Sequence, residues 1–267
     1  MYYIFSILLA LLGFTLLSTG NVLTKAGSLW IKWQGRRDGE FRRYLAIWLT
    51  GLVLCNLSLI PNGMASKILP PHIVSAISGW EIIVMIVLSH FLLKEKIFTS
   101  DLIYSIIIVS CIFALSIVGR PVPVEHIDKT AFYILLSIPF LLVIHVLFKG
   151  IGVKPKTILL SIFAGCLGGF SLVIMNVVVK EYGYNIGNYF STPYPYLFAF
   201  SATAAFIAVQ LAMRWGDMML VGPLLNSFII IYPVICSYFV FNSKLGIIQI
   251  IIIAAIIYSC IAILKKH

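Results

Sequence analysis

From Ile73 to Leu93 the chain runs 21 residues, IVSAISGWEIIVMIVLSHFLL, broken by a single carboxylate, Glu81. Coiled as an α-helix at about 1.5 Å per residue, this run reaches roughly 31 Å, the thickness of a bilayer's hydrocarbon core. With its neighbours it reads as a span at 70–93, and similar apolar runs recur at 3–24, 44–62, 99–119, 130–148, 157–179, 194–213, 218–241 and 246–264. In lipid every backbone N–H and C=O must find its partner inside the protein, which leaves helices or closed barrels. The runs lack the ten-residue alternation of barrel strands. The expectation is therefore an all-α integral membrane fold of nine transmembrane helices. Composition agrees: with 61% hydrophobic and 10% charged residues and a mean hydropathy of +1.06, too little polar surface remains to cover a water-soluble globule.

The first run, Tyr3 to Leu23, has no basic leader region and no small-residue cleavage site, so it reads as a retained helix rather than a signal peptide. The net charge of +10 does not point to nucleic acid, because the basic residues sit in short connections beside apolar spans. Fourteen of the nineteen Lys and Arg fall on one side of the expected topology. The positive-inside rule then places the N-terminus outside and the C-terminus in the cytoplasm of a cell-membrane protein. All five cysteines, Cys55, Cys111, Cys166, Cys236 and Cys260, lie within spans without metal-ligand spacing, and read as small packing residues.

An internal repeat organises the chain. Without gaps, the third span and its flanks align with Leu220–Leu245, placing Asn62 on Gln210, Ser78 on Asn226 and FLLKEK on FVFNSK. Likewise LSTGNVLTKAG from Leu17 aligns with LVIMNVVVKEYG from Leu172, so that Asn21 meets Asn176 and Lys25 meets Lys180. Spans one to four thus map onto spans six to nine. A separation of five spans reverses the orientation of the second copy, and an inverted repeat is typical of secondary transporters. The expected division is 1–119 for the first four-helix repeat, 120–156 for the linking helix and 157–267 for the second repeat.

Polar residues within the spans mark the candidate site. On the third span Ser75, Ser78, Glu81 and Ser89 share an arc of about 120°. Thr15, Ser18, Asn21 and Lys25 share one side of the first. Asn56 and Asn62, Asn176, Gln210 and Asn226 follow on the second, sixth, seventh and eighth. Lipid cannot satisfy their hydrogen bonds, so the stripes are expected to face the interior. Substrate-binding candidates are Asn21, Asn62, Ser78, Glu81, Asn176, Gln210 and Asn226. Any one amide also serves as glue between helices, whereas a mid-membrane carboxylate such as Glu81 generally marks a pathway or a paired site. Lys94, Glu95 and Lys96 read as a solvated helix end.

At these positions the chain resembles the drug/metabolite transporter superfamily, EamA-like, and within it the NIPA-like magnesium transporters. The likeness rests on Asn62, Ala65, Pro70 and Val74, on Leu88, Ser89 and Glu95, on Leu220, Val221 and Pro223 preceded by Tyr194-Pro195-Tyr196, and on Lys25 and Gly27. Ala76 stands where the family typically has proline, Asn242-Ser243 replaces the second basic-acidic ending, and Glu81 is not a family feature. The resemblance implies transport of a small solute by alternating access, with Mg2+ as one cargo; apart from the resemblance, Glu81 is the metal-ligand candidate because it is the one carboxylate at depth. A bound Mg2+ or a coupling H+ is then expected, and no resident cofactor. The amide-rich stripes suit small polar metabolites or amino acids equally, and a non-transporting scaffold or accessory subunit is the alternative of another class. Sequence motifs for hydrolases, zinc proteases and phosphate-binding loops are absent, so no enzyme is expected. The partners are the lipid bilayer and the solute; the oligomeric state is open, with a homodimer allowed.

Overall fold

The computed structural model describes residues 2–28, 38–66, 69, 71–118, 127–148, 152–182, 191–242 and 246–265. Among these residues there are ten helices and no strand: α1 Tyr2–Gly27, α2 Asp38–Leu57, α3 Leu59–Ser66, α4 Pro71–Leu93, α5 Thr99–Val118, α6 Lys129–Phe148, α7 Val153–Tyr182, α8 Tyr194–Trp215, α9 Met218–Val240 and α10 Ile247–Leu264. Six stretches among the described residues are long and apolar enough to cross a membrane: Tyr2–Gly27, Glu40–Ala65, Val153–Ile174, Tyr194–Trp215, Met218–Val240 and Ile247–Leu264. Three shorter apolar helices, Ile77–Leu93, Thr99–Leu115 and Lys129–Leu141, accompany them.

The second expected span differs in one respect, because it is split into α2 and α3. Proline 61 has no N–H for the carbonyl of Leu57, and its ring crowds that carbonyl, which breaks the ladder there. The chain turns at Ser58 without leaving its course. The Ser58 N–H still reaches Leu54 O at 3.0 Å and the Asn62 N–H reaches Ser58 O at 3.2 Å. Proline also interrupts α6 at Pro139, freeing the carbonyl of Leu135, and the Tyr232 hydroxyl of α9 donates to that oxygen at 2.5 Å.

The chain packs as two compact units, one of Met1–Arg120, Gly216–Pro223 and Ile248–His267, the other of Pro121–Trp215 and Leu224–Ile247. In the first unit, α1 lies against α2 and α3 along glycines spaced by sevens. A Cβ on Gly13 would meet Asn62 Oδ1 at 2.1 Å, on Gly20 it would meet Gly51 O at 2.7 Å, and on Gly27 it would meet Trp48 N at 2.4 Å. At Gly20 and Gly27, where the neighbours are backbone atoms, only hydrogen lets the helices approach so closely. Helix α5 buries Asp101, Ser105, Ile108, Ile112 and Leu115 and exposes Ile103, Ile106, Phe113 and Ile117.

The second unit is built on an aromatic core. Phe132 of α6 packs on Phe170 of α7 at 5.0 Å between ring centroids and on Tyr194 of α8 at 5.9 Å, and Phe170 reaches Tyr232 of α9 at 6.3 Å. Gly165 and Gly169 bring α7 onto α9, where added Cβ atoms would meet Leu225 O at 2.7 Å and Pro233 Cδ at 2.7 Å. Ser171 and Ser201 link α7 to α8 at 3.0 Å. Asp128 caps α6, accepting from the N–H groups of Thr130 and Ala131 at 2.9 and 3.0 Å, as N-cap side chains do.

Candidate functional site

Helix α1 carries Thr15, Ser18 and Asn21 on one side, and in the first unit that side meets α4. The Thr15 hydroxyl accepts from Trp80 Nε1 at 3.1 Å. One turn on, the Ser18 hydroxyl lies 2.9 Å from both Phe14 O and the backbone carbonyl of Glu81. Asn21 then donates from Nδ2 to Glu81 Oε1 at 3.2 Å. The amide is oriented from behind by α2, because the Cys55 thiol lies 3.6 Å from Asn21 Oδ1 and so leaves the NH2 group for the carboxylate.

Glu81 is 6% exposed, and among the described residues its hydrogen-bond donor is a neutral amide. Such a bond to a charged group contributes about 1.5–3 kcal/mol, well short of what an ion pair supplies to a buried carboxylate. Lys25 lies one turn beyond Asn21 on α1, but it pairs with Glu95 rather than with Glu81. Chemically, Glu81 offers Oε1 held by Asn21 and a second oxygen that can take a proton, a hydrogen-bond donor or a cation.

The other candidates are placed as follows. Ser78 is half-buried one turn before Glu81 on α4. Asn62 packs against Gly13, which precedes Asn21 by two turns of α1, about 12 Å along the axis. The first unit therefore brings Asn21 to Glu81 but sets Asn62 apart from that pair. In the second unit Gln210 is half-buried on α8 and Asn226 is buried on α9; Nδ2 of Asn226 has no hydrogen-bond partner among the described residues. Asn176 lies on α7, with its side chain outside the described residues. Among the described residues no group of three His, Cys, Asp or Glu side chains gathers as a metal site.

Two sequence readings are corrected. Asn56 does not face inward: it is exposed and its amide donates to Leu52 O of its own helix at 2.8 Å. Glu95 is not a solvated helix end. Its side chain is 9% exposed, ion-paired with Lys25, and its Oε2 accepts from the N–H groups of Met218 and Met219 at 2.9 and 3.4 Å. The Cys55 thiol beside Asn21 was also missed; the signal for it was only a small polar atom on α2 where glycines bring α1 close. No family model, curated protein or solved structure matches this chain.

Proposed function

We propose that the protein is a membrane transporter of the drug/metabolite transporter type that moves a small polar solute by alternating access, with Glu81 as its coupling or solute-binding carboxylate. The observation that carries this reading is the Asn21–Glu81 pair, a buried carboxylate on the apolar helix α4 held by an amide rather than a counter-charge. Ionisable groups placed so generally mark a pathway. In this reading nine spans cross the cell membrane, the N-terminus lies outside, and two inverted repeats flank α6. The repeat is supported by backbone detail. Among the described residues two non-glycines take the left-handed conformation, Lys94 at φ 56° and Asn242 at φ 50°, and these two coincide in the sequence repeat, each following the helix it ends.

Between the solute classes, a polar metabolite or amino acid is favoured over Mg2+. Magnesium prefers an octahedron of oxygens, generally with one or two carboxylates. Here Glu81 brings one carboxylate, and Asn21 turns its NH2 group, not its oxygen, toward it. The test begins with a thermal-shift screen of the purified protein against amino acids, nucleosides and divalent cations, since a ligand that binds the folded state raises apparent stability. Flux of the best ligand is then measured in proteoliposomes. Glu81→Gln keeps shape and hydrogen bonding while removing the titratable charge. Flux is expected to fall at least about tenfold, the equivalent of losing one charge-assisted interaction. Undiminished flux in the glutamine variant rejects Glu81 as the working group.

A further inference from the structure

A second polar cluster among the described residues of the first unit, with more hydrogen bonds than the Asn21–Glu81 pair, is the joint at the end of α1. Lys25, in the last turn of α1, pairs with Glu95 and also donates to Gly216 O at 2.8 Å. Glu95 follows Lys94, whose left-handed backbone turns the chain out of α4. Its second oxygen takes the first two N–H groups of α9, which no helical carbonyl can satisfy. Lys25 stands at the C-terminal, negative end of the α1 dipole and Glu95 at the N-terminal, positive end of the α9 dipole, so both charges are favoured by their helices. His90 Nδ1 lies 2.8 Å from Glu95 O and braces the same turn. One acid thus ties together three pieces of chain remote in sequence.

We propose that the Lys25–Glu95 pair is a latch that pins the first turn of α9 to the end of α1 and closes that end of the first unit over Asn21 and Glu81. Lys25 lies one turn past Asn21 on the same side of α1, so the joint stands between the pair and the helix end. The polar clasp sits on a packed turn, because Met218, Met219, Leu220 and Val221 at the start of α9 are buried. In the repeat, Glu95 corresponds to Ser243, so the second copy carries no equivalent acid and the latch belongs to one copy only. The proposal gives the transporter reading its gate, but its test does not depend on transport.

Cys55, half-buried beside Asn21, is a native reporter. The full-length protein is purified in detergent in two backgrounds, one retaining only Cys55 and one retaining only the buried Cys236 of the second unit, the remaining cysteines being changed to alanine. Labelling by a water-soluble maleimide is timed in each. Glu95→Ala and Lys25→Met are expected to label Cys55 at least about tenfold faster than the parent, as loss of a charge-assisted contact predicts, with the rate at Cys236 unchanged. Glu95→Gln, which keeps an acceptor for the α9 amides, is expected to give a smaller increase. An unchanged Cys55 rate in folded Glu95→Ala and Lys25→Met overturns the latch, and so does equal acceleration at Cys236, which signals general loosening. Should Glu95→Ala fail to fold, Lys25→Met decides, because it leaves Glu95 on the α9 amides. Loss of flux in Glu81→Gln bears on the transporter reading and leaves these labelling rates untouched.

Discussion

Glu81 and Glu95 lie fourteen residues apart, one buried within α4 and one half-buried just beyond it. Glu95 has a lysine, two helix N-terminal amides and favourable dipoles. Glu81 has one amide hydrogen from Asn21. A carboxylate whose lone pairs are filled by fixed groups holds structure. One that is buried with a single neutral donor retains capacity for something that comes and goes. Bonding, rather than charge, separates the two.

The comparison can be broken by unfolding measurements in detergent. The largest effect is expected for Glu95→Ala, which takes the carboxylate from Lys25 and two amides and should cost about 2–3 kcal/mol, the upper range for hydrogen bonds to a charged group. Glu81→Gln should cost no more than about 1 kcal/mol, since glutamine's carbonyl can still accept from Asn21. A Glu81→Gln loss as large as that of Glu95→Ala would make Glu81 a structural residue and remove the contrast. The smallest effect, within about 0.5 kcal/mol, is expected for Asn56→Leu, an exposed position whose amide serves only its own helix; a larger loss would show that the exposed face of α2 is covered.

The helix limits were legible because long apolar runs fold as helices almost unaided, although six of the nine expected spans, among the described residues, are long and apolar enough to cross a membrane. The expected 99–119, 130–148 and 246–264 became Thr99–Val118, Lys129–Phe148 and Ile247–Leu264. The stripe on α1 was legible too, for a helix repeats its faces every few residues. What the sequence could not show was who satisfies whom. Lys25 meets Glu95 at a separation of 70 residues, and Glu95 meets Met218 at 123; periodicity within one helix carries no information about such pairings. Glu95 looked solvated because it follows a helix end between two lysines. The break at Ser58 lay one turn ahead of its cause, Pro61, whose missing N–H acts on a carbonyl four residues earlier.

The glycines at 13, 20 and 27 of α1 carry a consequence in entropy. Each is poor in an isolated helix, by about 1 kcal/mol against alanine, yet each presents the partner helix with no rotamers to freeze. An interface lined by leucines must immobilise side chains before their contacts are gained. Here backbone meets side chain and backbone at once, and the two helices are neighbours in sequence. Their association asks little ordering of side chains and closes a short loop, so the α1–α2 hairpin is suited to form early, while the chain that will supply Glu81 and Glu95 is still being made.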